Sequence, residues 1–421
     1  MIDLRVGDCV EKMKEIEENS VDFILCDPPY ELNFMSKRWD NTGIAFNIEM
    51  WKEALRVLKP GGYLMAFSGT RTYHRMAVAI EDAGFEVKDM IEWVYGSGCP
   101  KALDISKAID KKLGAEREVI GEYTIGGLSP DRENFGANDR SGGKGMGFRA
   151  GSINITRASS DIAKQYEGYK TQLKPAHEPI CLAMKPLSEK NFAENVMKWG
   201  IGGLNIAGCR IGNENILING GGKKWRKNGA EIEYVEAINE TREGRFPANL
   251  ILHEDVAPIL DKQSGYSKSL NTIRRNNQSK HTGSENGAYC YGKFNDCDIR
   301  GYSDEGGASR FFKIIEEDKD YTGFIYHAKA SKKDRNSNIN KEVIEGNNHA
   351  TVKPTGLIKY LLKMGLPPIK NAVVLDMFAG SGTTGVALEM LNKEENTEHT
   401  CILIEMLEEH AEIIKKRCCL D

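Results

Sequence analysis

The chain of 421 residues has ten cysteines but no Cys-x-x-Cys pair. That absence removes the common zinc-ribbon, redox and disulfide-framework signatures. The nearest thing to a cluster, Cys290 and Cys297 near His281, matches no ordinary zinc spacing. No metal is therefore expected, and the thiols are expected to be buried and reduced. An excess of either charge is also missing: 57 Lys and Arg against 61 Asp and Glu give a formal charge of −4. Binding nucleic acid by bulk charge alone is excluded, while local basic patches are not. No apolar run approaches the roughly 18 residues that span a bilayer. Met1 to Arg5 lack the basic and apolar regions of a secretory leader, so a cytoplasmic chain with no membrane contact, a monomer or homodimer, is expected. A fixed-period repeat is absent too, which argues against a solenoid. What remains, 40% hydrophobic and 28% charged residues, is the composition of a globular protein. At roughly 150 residues per domain, the length corresponds to two to three domains.

The first hundred residues alternate strand and helix signals. Val21 to Cys26 is a short apolar run ending at Asp27, and Gly62 to Phe67 is another. Between them Trp51, Ala54, Leu55 and Leu58 have helical spacing, and the helix stops at Lys59-Pro60-Gly61-Gly62. A second helix is predicted over Tyr73 to Ala83, ended by Gly84, followed by a strand over Phe85 to Tyr95. This is the rhythm of a parallel sheet. From about Gly96 to Pro175 the pattern decays, and Gly126 to Gly151 alone holds eight glycines, so long loops are expected. Glu178 to Met184 reads as one more core strand. Leu187 to Asn348 is again rich in Gly and Asn, with short apolar runs at 250–252, 311–312 and 324–326, and suggests a separate, irregular, partly β module. Alternation returns with a helix at Leu357 to Met364, a strand at Ala372 to Asp376, a helix at Thr383 to Leu391, a strand at Thr400 to Ile404 and a helix through Arg417. The predicted units are 1–98, 99–174, 175–186, 187–348 and 349–421.

Two short motifs carry chemistry. Asp376 to Gly385 contains Gly380, Gly382 and Gly385 as G-x-G-x-x-G between a strand and a helix, and Glu405 follows 20 residues after Gly385 at the end of the next strand. Glycines let a ligand approach the backbone, and the acid can hold ribose hydroxyls. A nucleoside cofactor fits, and so does a plain strand-to-helix turn with an acid at the next helix start. The other motif, Asp27-Pro28-Pro29-Tyr30, directly follows a buried strand, where α/β sheets place their ligands. Two prolines stiffen the turn. The Asp27 carboxylate and the Pro28 carbonyl can each accept an N–H from a flat base bearing an amino group, while Tyr30 stacks on its ring.

In these motifs the sequence resembles the DNA amino-methyltransferases that use S-adenosylmethionine, in particular phage and prophage enzymes. In that family Asp-Pro-Pro-Tyr is the catalytic motif and Phe-x-Gly-x-Gly, here Phe378 to Gly382, the cofactor motif. Gly7-Asp8-Cys9, Arg56 to Gly62, Gly200 to Asn205, Gly244 to Asn249 and Thr351 to Pro354 look similar to the same family. His349-Ala350-Thr351 departs from its common His-Pro-Thr. The catalytic motif precedes the cofactor motif, as in the family's circularly permuted β subgroup. The resemblance is firm over 1–95, 175–185 and 349–421. It implies a Rossmann-like α/β methyltransferase sheet, circularly permuted, with large irregular inserts forming a target-recognition region over 187–348. It further implies that Asp27, Pro28, Pro29 and Tyr30 are catalytic. Asp376, Phe378, Ala379, Gly380, Ser381, Gly382 and Thr383 would form the turn around the methionine part of the cofactor, with Ser381 and Thr383 equally suited to capping the next helix. Glu405 would bind the ribose and Asp8 lie near the adenine. Thr351, Lys353 and Pro354 would open the helix closing over the methionine end, or Lys353 would be a solvated lysine at a helix start.

The implied reaction is transfer of methyl to the N6 amine of adenine in double-stranded DNA, within a restriction-modification setting. Because a duplex hides that amine, the base must be flipped out. Residues 31–40, with Phe34, Lys37, Arg38 and Trp39, are a candidate capping loop. Phosphate contacts are expected from Arg140, Lys144, Arg149, Arg157, Lys164, Lys170 and Lys174, from 223–227 and from Arg274-Arg275. N4-methylation of cytosine is the nearest alternative, since both bases present an exocyclic amine. A nicotinamide-dependent oxidoreductase would leave Asp27 to Tyr30 unexplained, and a catalytically silent DNA-binding protein would have no use for both motifs.

Overall fold

A computed structural model describes residues 1–32, 41–96, 102–125, 151–220, 238–268, 272–273, 299–300, 304–316 and 352–420. In chain order the strands are β1 (Ile2–Val6), β2 (Val21–Cys26), β3 (Leu58–Phe67), β4 (Glu86–Val94), β5 (Glu118–Ile125), β6 (Gly151–Arg157), β7 (His177–Met184), β8 (Ile211–Gly220), β9 (Ile238–Arg245) and β10 (Leu250–His253). Four two-residue strands follow, β11 (Ser267–Lys268), β12 (Thr272–Ile273), β13 (Ile299–Arg300) and β14 (Glu305–Gly306). The last are β15 (Lys313–Ile315), β16 (Val373–Asp376) and β17 (Thr400–Glu405). The helices are α1 (Cys9–Lys14), α2 (Ile48–Val57), α3 (Tyr73–Asp82), α4 (Ile105–Leu113), α5 (Asp161–Gln165), α6 (Phe192–Trp199), α7 (Ala257–Ser264), α8 (Thr355–Gly365), α9 (Thr383–Glu395) and α10 (Glu408–Arg417).

Nine strands make one sheet in the order β1-β17-β16-β2-β3-β7-β4-β10-β15. Neighbours are parallel except for β7, which runs antiparallel to both β3 and β4. Chain ends meet here: β1 pairs with β17, and β16 lies between β17 and β2, with Leu375 opposite Ile24. The carboxyl ends of eight strands and the amino end of β7 therefore share one edge.

The pleat sorts side chains onto two faces. Phe23, Leu25, Met65 and Phe67 point into a core closed by Leu357, Leu361, Val386 and Leu391 of α8 and α9. Ile24, Cys26, Leu64 and Ala66 point the other way, into a core closed by Met50, Trp51 and Ala54 of α2 and Met76 and Ile80 of α3. Because β2 is buried on both faces, it reads as an unbroken apolar run with one acid, Asp22, which is spent on Lys59 at 2.6 Å and on the Val373 amide at 2.7 Å.

The predicted core elements form within a few residues of their expected bounds. One differs usefully: β3 begins at Leu58, not Gly62, so Lys59-Pro60-Gly61-Gly62 is sheet rather than a helix-stopping loop. Leu58 pairs with Val21 before the register slips ahead of Phe23, and the slip accommodates the proline. The span 187–348 also departs from expectation. It contains α6 and α7, and β10 and β15 extend the central sheet from β4, so part of it is continuous with the core. Between 96 and 175, α4, α5 and the β5–β6 hairpin are ordered around Asp110, which is buried and bonded to Arg117, Ser159 and Ser160. Those bonds hold the Asp110 carboxyl well below its ordinary range, Ser160 contributing most.

Candidate active site

The strand β2 delivers Asp27 to the shared edge, and Pro28 and Pro29 stop it there. Tyr30 is then fixed at both ends: its carbonyl accepts from the Thr72 hydroxyl at 2.7 Å, and its own hydroxyl donates to Glu178 Oε2 at 2.8 Å. Glu178 reaches this point because β7 is antiparallel, so its amino-terminal end faces the carboxyl end of β2. Lys353, just ahead of α8, completes the group. Its side chain is only 4% exposed; Nζ donates to Asp27 Oδ2 at 2.5 Å and lies 3.4 Å from Glu178 Oε2. The same ammonium stands 5.1 Å from the Tyr30 ring centre and 4.8 Å from that of Phe67, a cation–π setting.

Electrostatics follow from this packing. Burial alone would lower the Lys353 pKa, but the charges of Asp27 and Glu178 outweigh it, and the ammonium is held above its ordinary value. Burial, then the negative charge of Asp27 and Glu178, pushes the Tyr30 hydroxyl well up. Burial and Glu178 do the same to Tyr95 at the end of β4. Both tyrosines thus stay neutral donors at any physiological pH. Asp27 Oδ1 is buried, and no donor among the described residues reaches it. A buried carboxylate oxygen without a partner is costly, and its natural use is to accept a hydrogen bond from something that enters.

One strand over, β16 ends at Asp376 and the chain turns sharply into α9. Gly380 and Gly382 have φ of +55° and +79°, a conformation in which a side chain is strained. Asp376 Oδ1 accepts from the Phe378 amide at 3.0 Å and Oδ2 from the Thr384 hydroxyl at 2.6 Å, tying turn to helix. Burial raises this carboxyl to a pKa of about 7, against those two bonds; Asp27 and Glu405 add to the rise. Glu405, at the end of β17, accepts from the Gly380 amide at 2.8 Å and the Leu407 amide at 3.0 Å. A carboxylate has about four acceptor positions, so capacity remains for a hydroxyl.

Of the residues expected at the site, Asp27, Pro28, Pro29 and Tyr30 adjoin the turn of Asp376 to Thr383, with Glu405 behind it. Asp8 caps α1, accepting from the Val10 and Glu11 amides at 2.9 and 3.2 Å, and is exposed at the end of β1 next to β17. Lys353 is not a solvated helix-start lysine; it is buried against Asp27 and Glu178. Ser381 and Thr383 cap nothing, since α9 has Gly382 as its cap. Their hydroxyls face Arg417, wholly buried, whose Nη1 donates to Ser381 O at 2.8 Å, Ser381 Oγ at 2.9 Å and Thr383 Oγ1 at 3.1 Å. Thr351, residues 33–40 of the candidate capping loop, Cys290, Cys297, His281, Arg140, Lys144, Arg149, 223–227 and Arg274-Arg275 lie outside the described residues. Among the described basic residues, Arg157 stands 3.7 Å from Glu118, Lys164 pairs with Asp161 at 3.1 Å, and Lys174 bonds the Gly96 carbonyl.

Sequence reasoning missed Glu178 and Arg417. An acid opening the otherwise apolar run to Met184 was the available signal for the first; an arginine in a helix of charged residues gave none for the second.

A stretch of 113 residues is 32% identical to the type II methyltransferase M.HpaI of Haemophilus parainfluenzae, 25% of this chain and 36% of that protein. Over 53 residues it is 49% identical to the Mod subunit of the type III restriction-modification enzyme StyLTI of Salmonella typhimurium, 13% of this chain and 8% of that one. The chain thus matches well under half the length of these relatives. Among solved structures, M1.HpyAVI with SAM aligns over 99% of this chain and 98% of that chain at 15% identity and a TM-score of 0.37. The cytosine-N4-specific PvuII DNA methyltransferase aligns over 99% and 86% at 12% identity and 0.42. The family described as DNA methylase, covering N6 and N4 enzymes, matches residues 21–416, and the chain belongs to that family.

Proposed function

We propose that this protein transfers a methyl group from S-adenosylmethionine to the exocyclic N6 of adenine in double-stranded DNA. The observation that carries the reading is Asp27: one carboxylate oxygen is held by Lys353 and the other is buried and open to a donor, one strand away from the glycine turn. Family membership supports the cofactor and the DNA substrate. The motif order along the chain supports the permuted arrangement.

The turn suits the cofactor. The bare Gly380 would let it approach the backbone, with Phe378 and Ala379 beside it, while Gly382, where a side chain would meet Ile414, lets the turn pack on α10. Glu405 would take the ribose hydroxyls, and Asp8 would lie toward the adenine. When bound, S-adenosylmethionine supplies an electrophilic methyl on a sulfonium. Everything else falls to the chain. The amine lone pair of a base is delocalised into its ring; Asp27 and the Pro28 carbonyl accept its two N–H groups and draw the lone pair out of that plane. Tyr30 offers its ring for stacking on the flipped base. The negative Asp27 also faces the positive charge that grows on nitrogen, and holding nitrogen in line with the methyl carbon supplies the rest of the acceleration.

Adenine is preferred to cytosine on the Asp-Pro-Pro-Tyr habit of the family, and 187–348 is assigned to choosing the DNA sequence. The purified chain, incubated with methyl-labelled S-adenosylmethionine and duplex DNA and then digested to nucleosides, should yield N6-methyladenine. N4-methylcytosine as the sole product would overturn the adenine assignment, and no labelled nucleoside would overturn the whole reading. Exchanging 187–348 for the matching block of a relative should change the methylated sequence and keep the modified atom.

A further inference from the structure

We propose that Glu178 is a positioning residue for methyl transfer: it shares Lys353 with Asp27, so that Asp27 keeps one oxygen for the target amine. The inference rests on the function proposed above. Glu178 lies 151 positions from Asp27 in sequence and belongs to no motif read above, yet its Oε2 takes the Tyr30 hydroxyl at 2.8 Å and stands 3.4 Å from Lys353 Nζ. Without it the buried ammonium would have Asp27 as its single carboxylate among the described residues. It would then compete with the incoming N–H groups for both oxygens of Asp27.

Charge gives the second argument. Counted formally, two carboxylates against one ammonium leave Asp27, Glu178 and Lys353 with a net charge of −1. During transfer the amine lone pair forms the N–C bond, the electron pair of the C–S bond stays on sulfur, and nitrogen becomes positive until it gives up a proton to water. A net negative cluster stabilises that charge; a neutral one does not. Among the described residues, the other titratable groups that feel the charge of the cluster are Tyr30 on the turn, Tyr95 just after β4, Cys26 at the end of β2 and Asp376 at the end of β16. None of them supplies a second cation.

The test is Glu178→Gln, Lys353→Met and the double variant in the full chain, read for kcat, KM for DNA, cofactor affinity and pH profile. Glu178→Gln should lower kcat by about a hundredfold with cofactor affinity unchanged. Lys353→Met leaves two unneutralised carboxylates side by side, so one should hold a proton and the acidic limb of the profile should move to higher pH. The double variant removes one carboxylate and should bring that limb back, a restoration that a merely structural role would not produce. A Glu178→Gln protein that folds and keeps kcat within about twofold, or a double variant whose limb stays shifted, would overturn the proposal. If Gln prevents folding, Glu178→Asp, which retains the charge but withdraws it, must still lower kcat. Wild-type protein that methylates no DNA amine would instead sink the parent reading, so the two failures are distinguishable.

Discussion

The two turns at the edge of the sheet are built on opposite principles. The glycine turn after β16 is held mainly from its own neighbourhood: Asp376 bonds Phe378 and Thr384, and Glu405 and Arg417, both within 41 positions, grip Gly380, Ser381 and Thr383. The Asp27 turn is held by charges from far along the chain, Glu178 from the antiparallel strand and Lys353 from the segment before α8. The first is a rigid cradle whose polar groups mostly satisfy one another. The second carries a deliberate imbalance, a carboxylate with one oxygen paid for and the other left open. Binding a cofactor needs shape, whereas accepting an amine needs unsatisfied acceptors, and under the proposed function each turn has what its task would require.

Breaking the second turn should have the largest effect. Asp27→Ala should reduce methyl transfer by about 10³-fold or more while calorimetry still finds the cofactor bound within a few fold of wild type, because in the proposed reading Asp27 faces the amine and not the cofactor. Activity within a few fold of wild type would contradict the assignment. Gly380→Val attacks the first turn. A β-branched residue at φ +55° is strained by about 1–2 kcal/mol, and under the proposed function its side chain would take space the cofactor needs. Cofactor binding should be lost by calorimetry, and tight binding would refute the placement.

Arg417→Met tests whether the cradle is held from beneath. Methionine fills much of the buried volume but gives up three hydrogen bonds to Ser381 and Thr383. The cofactor dissociation constant should rise about tenfold while the rate at saturating cofactor stays near wild type. A rate loss at saturation would mean that Arg417 reaches the chemistry as well.

The same comparison explains what the sequence made legible. Local features were readable because their cause is local: β2 as an apolar run, the prolines stopping it, the glycines opening α9. Lys353 was recognisable only as part of a motif, and its burial depends on β2 and β16 lying side by side, which pairs residues some 350 positions apart. Glu178 looked like the polar start of a core strand, since nothing in Glu178 to Met184 says that the strand runs backwards; direction decides which edge the acid meets. The β10 and β15 additions were hidden for another reason. Strands of four and three residues are too short for a period to register, and they exist because β4 offers an edge to pair with.

The smallest effect should come from Asp376, and it separates the cradle's stability from its function. Burial raises this carboxyl from 3.8 to about 7, so the folded chain holds its proton more tightly than the unfolded chain does. The sign follows from linkage: its contribution to stability is complete below about pH 4, where both states are protonated, and is lost as pH rises to about 7. Asp376→Asn keeps the shape and an oxygen for the Phe378 amide but cannot ionise. The melting temperature of wild type relative to the Asn variant should therefore fall steadily between about pH 4 and pH 7 and level off above. A flat difference across that range would mean that Asp376 is already ionised in the fold, with Thr384 and the Phe378 amide outweighing burial. The cradle would then be held by charge, as the Asp27 turn is, and the contrast between the two turns would narrow to where their partners come from.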